Sequence, residues 1–158
     1  MKTPIASILI ALALLLVVER AAAADGKRLV VVVAKGSQVT NISRADLKRC
    51  FTGEKFSPNG DTLIPFNASP NTPERVGFDQ AVLGMSPDEV GRFWIDRKVR
   101  GESSAPRSLP SSAHVAKVAA KFPNAIGYLP EDALTSDIQP VAVDGISYTD
   151  AHYNIVTR

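Results

Sequence analysis

Leu29-Val-Val-Val-Val-Ala34 is an unbroken apolar run with no polar position on either face. A strand of that pattern is stable only when covered on both sides, which predicts a central strand of a parallel or mixed sheet. Lys35-Gly36-Ser37 closes it with turn residues. The period then changes to that of a helix. Leu47, Cys50 and Phe51 fall at i, i+3 and i+4, on one inward stripe. Ser43, with Asp46 three residues on, is the expected N-cap; Ile42 and Leu47 flank it as a hydrophobic staple, and Gly53 ends the helix. Ser57–Asp61 reads as a turn. Thr62–Asn67 reads as a short strand that Pro65 places at an edge or a strand end.

Thr72-Pro73-Glu74 opens a second helix with a cap residue, a proline at the first position and an acid in the first turn. Phe78, Ala81, Val82 and Met85 follow at helical spacing until Gly84 interrupts them. Ser86-Pro87-Asp88-Glu89 is a complete capping box, stapled by Met85 and Val90. The third helix carries Val90, Phe93, Trp94 and Arg97, with Trp94 expected to pack beside Phe93. Gly101–Pro110, rich in serine and proline, is expected to be a loop. A fourth helix starts at Ser111 or Ser112, with Val115, Val118, Ala119 and Phe122 on its inner face, and Pro123-Asn124 stops it. Ala125–Leu129 and Pro140–Val143 read as strands, Pro130–Leu134 as a helical turn, and Tyr148–Arg158 as a loose tail or an edge strand. Strands alternating with helices predict an α/β layered domain.

The N-terminus changes the compartment. Lys2 precedes an uncharged apolar stretch, Ile5–Val18, and Ala22-Ala23-Ala24 supplies small residues for cleavage. That is the pattern of an export signal; the stretch is shorter than the ~20 residues of a spanning helix, so a retained anchor is the second reading. The expected organisation is a signal over residues 1–24, a domain over 25–145 and a tail or edge strand over 146–158, in a periplasmic or secreted protein with no membrane contact after cleavage. Without residues 1–24, 16 of the 18 basic and 15 of the 16 acidic residues remain, which is no basic surface for nucleic acid. The single cysteine, Cys50, cannot form an internal disulfide and is expected to be a small core residue.

Recognisable catalytic chemistry is absent from the sequence. His114 and His152 stand in no metal-ligand spacing, and one cysteine excludes CxxC sites. There is no nucleophile elbow, no Ser-x-x-Lys pair, no Walker loop and no G-x-G-x-x-G. Asp88 and Glu89 are accounted for by capping. No enzyme, cofactor or metal is expected. Asn41-Ile42-Ser43 and Asn67-Ala68-Ser69 match the glycosylation sequon, a weak pattern.

Four segments together resemble a known family: Leu29–Ser37, Ile42–Gly53, Thr62–Leu83 and His114–Pro130. The specific pieces are the Ile42-Ser-Arg-Ala-Asp-Leu-Lys-Arg-Cys-Phe-Thr-Gly53 helix and the Phe122-Pro-Asn-Ala-Ile-Gly-Tyr128 strand entry. They resemble the phosphate-binding branch of the periplasmic substrate-binding proteins of ABC uptake systems. The match covers roughly residues 29–134, one lobe of a two-lobed clamshell. It implies one lobe of a type 2 periplasmic-binding-protein-like α/β fold, a mixed sheet flanked by helices. It implies a non-enzymatic module that binds a small oxyanion such as phosphate. The alternative is an envelope interaction or assembly module that has lost small-ligand binding, for which exposed apolar surface around Phe56, Phe66 and Trp94 would be the sign. The family holds its anion with an Arg-x-x-x-Ser-Gly-Thr turn at a helix start. Here Thr72 stands for the serine, Pro73 for the glycine and Glu74 for the threonine, while Ala68 or Asn67 falls where the arginine would be. The resemblance places the ligand-facing surface at the C-terminal strand ends, around Ser37, Ser69, Thr72 and Arg75.

Overall fold

The computed structural model describes residues 26–158, so the expected export signal lies outside the described residues. Strands and helices alternate along the chain. β1 (Leu29–Ala34), β2 (Asn41–Ile42), α1 (Arg44–Phe51), β3 (Ile64–Ala68), α2 (Pro73–Phe78) and α3 (Pro87–Val99) come first. β4 (Arg107–Leu109), α4 (Ser112–Lys121), β5 (Ala125–Pro130), β6 (Ile138–Pro140) and β7 (Ala142–Val143) follow. Five of the strands form one mixed sheet in the order β4-β3-β5-β1-β6. β3 runs parallel to β4 and β5, whereas β1 runs antiparallel to β5 and β6.

The apolar run at 29–34 is central, as its pattern predicts. Leu29, Val31 and Val33 pack under α1 and α2, while Val30 and Val32 pack under α4, and none of these five is exposed to solvent. The four helix starts follow their local chemistry. Ser43, Thr72, Ser86 and Ser111 each accept a hydrogen bond from the backbone N–H three residues on, and Glu89 completes the box at Ser86. Cys50 is 1% exposed, and burial pushes its thiol up to about 12, so it is a core residue rather than a nucleophile.

The structure corrects the sequence reading in three places. Residues 107–109, expected to lie in a loop, add an edge strand parallel to β3. β3 is therefore interior. Pro65 is tolerated there because β4 begins only opposite Phe66, so no ladder bond is asked of the proline nitrogen. Phe122, expected on the inner face of α4, is 47% exposed: the chain turns extended at that residue and the ring lies out beside Lys121. Pro140–Val143 is two strands, β6 and β7, and β7 leaves the main sheet to pair with β2.

Residues 146–158 belong to the same core. Tyr153 and Ile155 are buried, the Tyr153 hydroxyl donates to Leu29 O at 2.7 Å, and Val156 bridges Arg28 antiparallel. The chain then crosses α2 at Gly77, where a Cβ would lie 2.0 Å from Val156 O and 2.8 Å from Thr157 Cα. Gly77→Ala is thus expected to displace this crossing and lower stability by about 1–3 kcal/mol in urea unfolding, by overpacking. Among the described residues no helix is long and apolar enough to cross a membrane.

Candidate functional site

Ser69, Thr72 and Arg75 are brought together where β3 ends and α2 begins. Thr72 caps the helix: its hydroxyl accepts from Arg75 N at 3.3 Å and donates to Ser69 O at 2.9 Å. The Ser69 hydroxyl donates to Leu109 O at 3.0 Å, tying the turn to the end of β4. Pro73 has no N–H to offer a ligand, and Glu74 stands in the first turn. The backbone N–H groups of Asn71 and Glu74 carry no partner among the described residues and are among the donors left at this surface.

Arg75 turns inward. It is 8% exposed, its Nε donates to Asp79 Oδ2 at 2.6 Å, and its Nη1 donates to Ala68 O at 3.4 Å. Asp79 is 3% exposed and lies at the start of Asp79–Leu83, a widened helical turn that continues α2 until Gly84 ends it with φ +70°. Burial raises the Asp79 carboxyl above the usual carboxylate range, against the opposing pull of the Arg75 guanidinium. The sequence reading missed Asp79. Its signal was present as the i, i+4 spacing from Arg75, which puts both side chains on one helix face.

Ser37 is elsewhere. It follows the C-terminal end of β1, and β1 is antiparallel to β5 whereas β3 is parallel to it. The C-terminal end of β1 therefore lies with the N-terminal end of β3, across the sheet from Thr72. Ser37 lines a depression there with Leu63, Pro123 and Asn124. Its hydroxyl accepts from Val39 N at 3.2 Å and its carbonyl accepts from the Gln139 side chain at 2.7 Å. The expected grouping of Ser37 with the other three does not form, because β1 runs opposite to β3.

The strand entry at 125–130 supports the turn from below. Tyr128 Oη accepts from Ala68 N and donates to Asn67 Oδ1, both at 3.2 Å, and burial pushes its phenol well above the usual range. Gly127 packs closely against α4: a Cβ there would meet Val115 Cγ1 at 2.8 Å, so Val115 would have to shift. Asn67 is 3% exposed, so its sequon is not accessible. Among the described residues no cluster of His, Cys, Asp and Glu could hold a metal ion. Phe56, Phe66 and Trp94 are half-buried against the two core clusters, and Trp94 meets Phe93 edge-on at 5.0 Å. Among the described residues the exposed large apolar side chains are Ile64, Ile95, Val99 and Phe122 instead.

No protein-family profile and no curated protein sequence matches this chain. Solved structures do match its fold. An ABC-type phosphate transport receptor from Vibrio cholerae superposes with a TM-score of 0.67 at 14% identity, over 83% of this chain and 54% of that one. A phosphate ABC transporter substrate-binding protein from Clostridium perfringens, solved with bound phosphate, gives 0.64 at 17% identity, over 83% and 53%. PstS from Borrelia burgdorferi gives 0.61 at 13% identity, over 84% and 55%. The chain spans about half the length of the structures it matches. At these identities the likeness establishes the fold: a five-stranded mixed sheet flanked by helices, built like one lobe of a phosphate-binding protein.

Proposed function

We propose that this chain is an exported, non-enzymatic binding module that presents one wall of a small-oxyanion cleft, phosphate being the ligand class. The surface is the turn formed by Ser69 and Thr72, with the backbone N–H groups of Asn71 and Glu74 as its donors. The reading is supported by a fold shared with phosphate transport receptors and by a helix start at the end of a strand, a position that favours anions.

One observation sets the affinity: Arg75 is buried against Asp79 and supplies no cation to the surface. Tight sites enclose ~70–90% of a small ligand, and one wall does not. The isolated chain should therefore bind phosphate with Kd near 1 mM, about −4 kcal/mol, and higher affinity requires a second wall from another protein. Titration calorimetry with phosphate and sulfate tests this; a micromolar Kd for the chain alone would overturn it.

A second reading is an envelope assembly module without ligand binding. Ile95 and Val99, 65% and 82% exposed and one helical turn apart on α3, favour it. Self-association in sedimentation velocity with no heat from phosphate at millimolar concentration would select it.

A further inference from the structure

α3 is held to the rest of the domain along one narrow stripe. Val90 is its buried residue, Trp94 packs half-buried against the core, and Arg97 Nη1 donates to Thr52 O and Ser103 Oγ. These three positions fall at i, i+4 and i+7. The opposite face carries Asp88, Arg92, Ile95 and Val99, all exposed. They are spaced by four, three and four residues, the period of a seam between two packed helices. Half of that seam is apolar and uncovered, since Ile95 and Val99 are the exposed pair on α3.

We propose that α3 pairs antiparallel with α3 of a second copy of this chain, about a two-fold axis, to form a weak dimer. The proposal rests on the second reading above and supplies its partner. The charges on the seam choose the occupant. A pair centred between Arg92 and Ile95 sets Arg92 against the partner's Ile95 and Asp88 against the partner's Val99. Arg92 and Asp96 are one turn apart on the same flank of the seam. A two-fold axis brings like flanks together, so Arg92 meets the partner's Asp96, and Asp96 the partner's Arg92. At each end Asp88 stands beside the partner's Arg100. The Asp96–Arg100 pair within the helix is exposed, so sharing it costs little. Gly91, on the other flank, adds no side chain to hold the helices apart. A parallel pair would instead set Asp88 and Arg92 against their own copies. The face is thus complementary to itself in one orientation, which an interface between identical subunits requires. Size sets the strength. Thirteen residues of helix span about 20 Å. One such face buries less than the ~800 Å² per partner of a stable complex, so Kd should lie near 100 µM.

The test is sedimentation equilibrium of the exported protein over concentrations that span this Kd. The parent should pass from monomer to dimer. Ile95→Lys sets a second cation against the partner's Arg92 and should weaken the dimer about tenfold or more. Charge reversal then identifies the orientation. Arg92→Glu leaves two acids on the flank and Asp96→Arg leaves two bases, so each variant alone should stay monomeric. Mixed in equal amounts, the two should associate within about threefold of the parent. All three positions are exposed, and circular dichroism checks that each variant folds. The proposal is overturned by a parent that stays monomeric throughout, by variants that dimerise alone as well as the parent does, or by a mixture that stays monomeric. Phosphate calorimetry on the same samples tests the second reading separately, because dimerisation and phosphate heat are independent readouts.

Discussion

Replacing Arg75 by methionine is expected to cost about 3–5 kcal/mol of stability at neutral pH, because it leaves the Asp79 carboxylate buried without its partner. The pair lies at the base of the candidate site, with side chains 10% and 4% exposed, so solvent does not screen the loss. The pH dependence has a defined sign. The folded-state pKa of Asp79 is already raised by burial, and removing Arg75 removes the main influence that lowers it. Between the ordinary carboxylate range and this raised value, the folded chain holds a proton that the unfolded chain has lost. Stability therefore falls as pH rises through that window. Urea midpoints of Arg75→Met and the parent should converge as the pH is lowered toward the ordinary carboxylate range and separate above it. The double variant Arg75→Met/Asp79→Leu should recover most of the loss, since replacing both charges with apolar groups removes the desolvation penalty. A constant difference across pH would refute a titrating Asp79.

Phe78→Ala is the other large effect, expected at about 3–5 kcal/mol, with no pH dependence. Phe78 is fully buried, stacked on Tyr128 at 3.8 Å and tilted against Phe51 at 4.7 Å. Its removal opens a cavity between α1, α2 and β5, and it withdraws the surface that holds the Tyr128 hydroxyl against Asn67 and Ala68. A domain of this size has a total stability of about 5–15 kcal/mol, so the loss is a large fraction of the whole. Phe122→Ala is the control: that ring lies 47% exposed, and its truncation should stay within about 0.5 kcal/mol. Chemical denaturation of the two variants side by side separates core packing from mere aromatic content.

Local chemistry was read correctly where it is complete within a few residues. The caps at Ser43, Thr72 and Ser86 need only a hydroxyl and a backbone N–H three residues on, and all three stand where the sequence places them, while of the two candidates Ser111 and Ser112 the cap is Ser111. The Leu47–Cys50–Phe51 stripe and the 29–34 run are likewise complete in themselves, because an apolar face must be covered whatever covers it. β4 was missed for the opposite reason. Arg107-Ser108-Leu109 has no strand pattern, and its extended form is held by partners that arrive from β3, some forty residues away. Pro65 stands at the start of β3, the strand end its residue type allows, and only the edge alternative depended on that same partner.

The candidate site divides in the same way. Residue types determined the cap at Thr72 and the missing donor at Pro73. The direction of β1 decided that Ser37 stands across the sheet from them, and burial decided that Arg75 faces Asp79 instead of solvent. Sequence alone thus determined the helix starts, the central 29–34 strand and which faces must be hidden, because propensity, capping and periodicity act over a few residues. Only the tertiary structure decided strand direction, the edge at β4 and the loss of a surface cation, because each depends on charge or backbone groups that meet from distant parts of the chain.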